Sequence, residues 1–167
     1  MENIMEIKDS KIITDIINNA FFTVAEQFNY TKENAPRFPA FIDYEEIENN
    51  LNNGLKMYGY YIKNKIVGCI GYSYHKDQIY YIQKLATLPE YRHMGIGKKL
   101  MKFAEDKIRE NNGKIIEITV VDQNITLIEW YKKLNFEYIR TDDLSEIKRD
   151  GKKIFPFNSY VMNKKLE

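Results

Sequence analysis

The chain has 167 residues, 44% hydrophobic and 14% aromatic, enough to bury the core of one domain of about 100 to 200 residues and too short for a second of useful size. Its 25 Lys and Arg nearly cancel 24 Asp and Glu, leaving +1, so no bulk electrostatic pull toward nucleic acid or an anionic membrane exists. The single Cys69 and two histidines exclude an intramolecular disulfide and argue against a zinc site, and the expectation is an intracellular, cytoplasmic, metal-free protein.

Acids and lysines interrupt the first apolar stretch, and no run of about 18 apolar residues occurs, so neither a signal peptide nor a membrane span is expected. Residues 3 to 8 read as a short strand. Asp9 or Ser10 offers an N-cap for a helix to about Phe28, with Ile12, Ile13, Ile16, Ile17, Ala20 and Phe21 marking its buried face. NYTKENAPRFPAF, with two prolines and several polar turn formers, reads as a loop, and a second helix spans about Tyr44 to Asn53 and stops at Gly54. KMYGYYIK, IVGCIGYSY and IYYIQKLATL are rich in Tyr, Ile and Val and break at Asn64 and at His75 to Asp77. That pattern predicts three antiparallel strands joined by hairpins.

A helix from about Gly95 to Glu110 follows, with Ile96, Leu100, Phe103, Ala104 and Ile108 on one face. NNG ends it. Residues 114 to 121 read as a strand, NITLIEWYKKL as a helix, FEYIR as a strand, DLSEIKRDGKKI as an exposed loop and FNSYVMNK as the last strand. This element order predicts an α+β fold in which a mixed sheet carries helices on both faces.

The chemistry concentrates in LATLPEYRHMGIGKKL, residues 85 to 100. A strand ends near Pro89, and Gly95 and Gly97 sit where the next helix begins. Glycines so placed let backbone approach a ligand closely, while the free NH groups of a helix N-terminus carry partial positive charge. This combination suits a diphosphate, and Arg92 and Lys98 add local charge. A Walker A loop is excluded because Lys99 stands where Ser or Thr is required, and a dinucleotide fingerprint is excluded by Leu100 at its third small position.

What remains, Arg92-His93-Met94-Gly95-Ile96-Gly97 with Pro89 ahead of it, resembles the central signature of the GNAT superfamily of acyl-CoA-dependent N-acetyltransferases: Gln or Arg, two residues, Gly, one residue, then Gly or Ala, between a strand and a helix. A second element also matches that family, with Asn124 opening a helix, Tyr131 seven residues on and Phe136 after it. Asn135 replaces the usual Gly, a mild departure because Asn tolerates the left-handed conformation. The resemblance implies a GNAT-like three-layer fold over residues 1–167 with a central, mostly antiparallel sheet of about seven strands.

The resemblance further implies acetyl-CoA as cosubstrate with no metal, and a small-molecule amine or peptide as acceptor, with no nucleic-acid or membrane partner and a homodimer left open. Backbone groups of Leu85 and Thr87 would pair with the pantetheine arm as an added strand, and an NH near Leu85 or Ala86 would face the developing oxyanion. The NH groups of His93, Met94, Gly95, Ile96, Gly97 and Lys98 would hold the pyrophosphate. Asn124 would contact pantetheine, and Tyr131 would protonate the departing thiolate.

Each assignment has a plainer alternative. Tyr131 on an apolar helix face could be core, Asn124 a helix cap, Trp130 core packing, Cys69 a buried small hydrophobe and His75 a solvated turn residue. The strand before the signature offers outward-facing Tyr81 and Gln83 but no carboxylate, so the general base is unassigned, with a water chain, Glu26 or Glu33 open. The acceptor pocket is expected from residues 22 to 45 and 142 to 157, where Phe22, Phe28, Tyr30, Phe38, Phe41, Phe155 and Phe157 supply aromatic surface. A CoA-binding sensor without catalysis is the alternative function.

Overall fold

The computed structural model describes residues 3–167. In chain order it contains β1 (Ile4–Ile7), α1 (Ser10–Phe28), α2 (Tyr44–Asn52), β2 (Lys56–Ile62), β3 (Lys65–Lys76), β4 (Ile79–Thr87), α3 (Ile96–Glu110), β5 (Ile115–Val121), α4 (Ile125–Lys133), β6 (Glu137–Asp142), β7 (Lys148–Arg149), β8 (Lys152–Lys153) and β9 (Ser159–Lys165). Seven strands form one sheet in the order β1-β2-β3-β4-β5-β9-β6, and β7 and β8 form a separate small hairpin. Every pairing in the large sheet is antiparallel except β4 with β5. This is the expected α+β arrangement, with helices on both faces.

Local chemistry explains the boundaries. The Asp9 carboxylate accepts the Lys11 and Ile12 amides at 2.9 and 3.2 Å, capping α1, and Asn29 closes it in the left-handed conformation at φ 58°, as the capping preferences of these residues dictate. Asp43 caps α2 through the Glu46 amide at 3.0 Å. On one face of the sheet, Ile13, Ile17 and Ile47 of α1 and α2 bury against Met57, Cys69 and Ala86. On the other, Leu100, Met101, Ala104, Ile108 and Ile128 of α3 and α4 bury against Val67, Ile70, Ile82, Ile116, Ile118 and Met162. The period-2 alternation of Ile116, Ile118 and Val120 therefore sends Glu117 and Thr119 to the opposite face.

Three sequence expectations are corrected. Ile12 is 43% exposed rather than part of the buried face of α1, which runs through Ile13, Ile16, Ile17 and Ala20. His75 belongs to β3 and stacks on Tyr81 with ring centroids 4.5 Å apart; the hairpin turn is made by Asp77 and Gln78, both at positive φ. The expected loop after β6 contains the β7–β8 hairpin, closed by Asp150 and Gly151 at φ 53° and 76°.

The feature that shapes the molecule is in β4. Cys69 pairs with Ala86 while Gly71 pairs with Gln83, so Ile70 alone faces both Lys84 and Leu85. This bulge holds Lys84 at φ 59°, and the Cys69 thiol donates to the Lys84 carbonyl at 3.4 Å. A bulge bends and twists its strand. Parallel pairing of β4 with β5 accordingly runs only from Ile79↔Ile115 to Tyr81↔Glu117, after which the two strands part.

Burial leaves a signature at alkaline pH. Desolvation pushes Cys69 and Tyr30 up to about 12, the latter helped by Asp122, and raises Tyr72 and Tyr131 further. The unfolded chain ionises these groups first, near about 8.5 for Cys and about 10 for Tyr, so the folded state binds more protons in that interval and stability falls as pH rises. Urea melts at stepped pH from neutral to strongly alkaline should show a declining midpoint that begins above the ordinary thiol range.

Candidate active site

The parting of β4 and β5 opens a cleft of about 1210 Å³. Its floor is set by backbone direction. The Leu88 amide bonds the Val67 carbonyl at 2.9 Å, and Ala86 is paired with Cys69, so alternation along the strand turns the NH and C=O of Leu85 and Thr87 toward the open side. Leu85 is thus a free edge position. The Ala86 backbone is committed to β3.

The glycine segment forms the next wall. His93 and Gly95 lie at φ 64° and 79°, and the first bond closing α3 is Lys99 NH to Gly95 C=O at 3.1 Å. The amides from His93 through Lys98 find no acceptor among the described residues. Left-handed residues alternating in this way make successive NH groups converge into a concave anion site, here continued by a helix N-terminus. Lys98 is exposed on the cleft, whereas Met94 is 57% exposed and is absent from the cleft lining. A Cβ on Gly97 would stand 3.5 Å from the Trp130 ring, so the glycine keeps open the gap between α3 and α4. Trp130 is half-buried there and lines the cleft besides packing on Tyr131 at 5.0 Å.

Arg92 is spent differently from the charge expected of it. Its guanidinium donates to the Thr87 carbonyl at 3.3 Å, to Thr23 Oγ1 at 3.0 Å and to the Ala20 carbonyl at 2.5 Å. It ties the glycine segment and the end of β4 to α1. Burial disfavours its charge, and Glu90 offsets part of that.

On α4, Asn124 caps the helix by accepting the Leu127 amide at 3.2 Å and also lines the cleft, so both readings of this residue coexist. Tyr131 is 7% exposed and packs edge-on against Trp130 and Phe136. Its hydroxyl has no hydrogen bond to any described residue, yet no buried side-chain polar atom among them is unsatisfied; the hydroxyl therefore opens into the cleft. Burial raises its pKa, which keeps the phenol protonated at neutral pH. Asn135 ends the helix at φ 71°, and the Phe136 amide returns to the Tyr131 carbonyl at 3.1 Å, fixing the ring's place along the helix.

The carboxylate missing from β4 is supplied by β5. Glu117, 19% exposed at its side chain, lines the cleft where β4 and β5 part, with Arg140 at a loose 4.0 Å. Its polar place in the alternation of KIIEITVV was a readable signal; its register against Tyr81 was not. Glu26 and Glu33 are exposed and do not line the cleft. Of the aromatic residues expected around the acceptor, Phe28, Tyr30, Phe38, Phe155 and Phe157 do line it, while Phe41 packs behind Phe38 and Phe22 is 54% exposed.

The sequence profile described as the acetyltransferase (GNAT) family matches residues 17–136; the chain belongs to that family. Among solved structures, the ribosomal-protein-S18-alanine N-acetyltransferase of Escherichia coli is similar at 14% identity and a TM-score of 0.71, covering 99% of this chain and 94% of that one. A Bacillus subtilis acetyltransferase in complex with CoA is similar at 14% identity and a TM-score of 0.70 over 100% of both chains. A GNAT-family acetyltransferase of Staphylococcus aureus reaches 22% identity and a TM-score of 0.70 over 99% of both.

Two substitutions separate structure from ligand contact. Arg92→Ala should lower the melting temperature, with a cost of about 1 to 3 kcal/mol because buried carbonyls lose a charged donor; a variant that melts with the native protein would free Arg92 for another role. Gly97→Val should leave the fold intact and remove CoA binding as read by calorimetry, since its side chain fills the gap beside Trp130.

Proposed function

We propose that this protein is an N-acetyltransferase that moves the acetyl group of acetyl-CoA directly to the primary amine of a small-molecule or peptide acceptor. One observation carries the reading: a single cleft brings together the free Leu85 edge, the NH cradle from His93 to Lys98 and the inward hydroxyl of Tyr131. The donor set fits the group. Unpaired amides with Lys98 suit a pyrophosphate, the Leu85 and Thr87 backbone suits the amide-bearing pantetheine arm, and Asn124 lines the same cleft. Bound there, acetyl-CoA supplies an activated acyl group.

The chain's own residues account for the protons. An acceptor amine arrives as ammonium, and Glu117, on the floor of the cleft, takes its proton directly or through one water. The Leu85 NH, fixed in advance by the bulge, faces the charge developing on the acyl oxygen. Tyr131 holds a proton that burial prevents it from losing to solvent, and gives it to the departing sulfur. Apolar walls from Trp130, Leu127 and Val120 limit water.

Thiol release from acetyl-CoA with a panel of primary amines tests the reading, and amine-independent binding without turnover would mark a non-catalytic sensor instead. Tyr131→Phe keeps the ring packing and should lower kcat by about 10 to 1,000-fold with CoA affinity nearly unchanged. Glu117→Gln should lower kcat/KM by about 100-fold.

A further inference from the structure

The acceptor half of the cleft holds a cation that the chemistry above does not use. Lys84 sits at the bulge, half-buried on the cleft, and forms neither an ion pair nor a hydrogen bond through its side chain with any described residue. Desolvation is the main force against its charge. Arg37, also on the cleft, lies close enough to oppose its protonation, while the Glu46 that favours it is already paired with Arg37 at 2.8 Å. A half-buried ammonium without a hydrogen-bonded partner is costly to desolvate, and a ligand carboxylate would offset that cost.

Position assigns Lys84 to the acceptor rather than to the pyrophosphate. It faces α2 and Glu46, on the side of the sheet opposite α3, whereas the amide cradle belongs to α3. It lies three residues beyond Tyr81, the partner of Glu117, which sets the Lys84 backbone at most about 10 Å along the strand from the level of Glu117. The wall above is aromatic, with Tyr30 packed against Phe28, Phe38 and Phe157 at centroid distances of 5.6, 5.0 and 5.2 Å.

We infer that the acceptor is an amine that also carries a carboxylate, held by Lys84, with an apolar or aromatic side chain against the Phe28, Phe38 and Phe157 wall. The inference rests on the acetyl-transfer reading and narrows its substrate class. Charge-assisted pairing gives the Lys84 ammonium the direct partner it lacks, and it orients the amine toward the fork between β4 and β5.

L-phenylalanine and L-phenylalaninamide, which differ only in the carboxylate, serve as paired acceptors, with thiol release as the readout. The native protein should show a KM for phenylalanine at least about tenfold below that for the amide. Lys84→Met should bring the two KM values together, and Lys84→Arg should keep them apart. Equal KM values in the native protein, or a difference that survives in Lys84→Met, would overturn the inference. If Lys84→Met does not fold, Lys84→Gln takes its place, and the native comparison still decides. Turnover of other primary amines with neither probe accepted sinks the carboxylate inference while acetyl transfer stands; no thiol release with any amine sinks both.

Discussion

Beyond Tyr81 and Glu117, β4 and β5 cease to pair, and the remaining backbone of β4 has β3 on one side and open space on the other. Buried backbone groups without partners are costly, so a gap of this kind persists only where water or a ligand completes the bonding. Its cause is local. Two residues of β4 oppose one of β3 at the bulge, Lys84 takes a left-handed conformation, and the strand turns away from its parallel neighbour. The apolar layers on either face hold this arrangement without closing the gap, since Ile82 and Leu85 stay packed with α3 while Ala86 and Leu88 stay packed with α1.

Arg92 shows how the rest of the site is held against that fork. A guanidinium with five donors can bind several acceptors in one plane, and here it joins β4, α1 and the glycine segment through Thr87, Thr23 and Ala20. With the side chain occupied in this way, backbone amides and Lys98 are what the glycine segment presents to the cleft. That division is economical electrostatically. Amides present a fixed field that needs no counterion when the cleft is empty, whereas several clustered cations would repel one another.

Polarity also divides the cleft by face. The α3 and α4 side offers amide donors, an indole and a protonated phenol; the α1 and α2 side offers Glu117, Lys84 and an aromatic wall. The sheet edge between them is the one place both can reach. A thioester lying along β4 and an amine approaching from the other face would meet beside Leu85, so the fold supplies proximity before any side chain takes part.

The sequence by itself determined the helices, the strands of the large sheet and the local patterns contiguous along the chain, but not the β7–β8 hairpin. Gly95 and Gly97 at a strand-to-helix junction, and Asn124 with Tyr131 about two turns apart on one helix, are local patterns, and local patterns are written in spacing. Asn135 could be read as a helix terminator for the same reason. Only the tertiary structure decided which face of the cleft each group serves. Arg92 turned inward because Ala20 and Thr23, some seventy positions away, present acceptors at the same level. Glu117 entered the site through its register with Tyr81, and Lys84 was isolated by a bulge that no residue type announces. Register, bulges and splay arise from the packing of whole layers, where small differences in pairing free energy between distant segments are summed; a single strand's composition does not contain that sum.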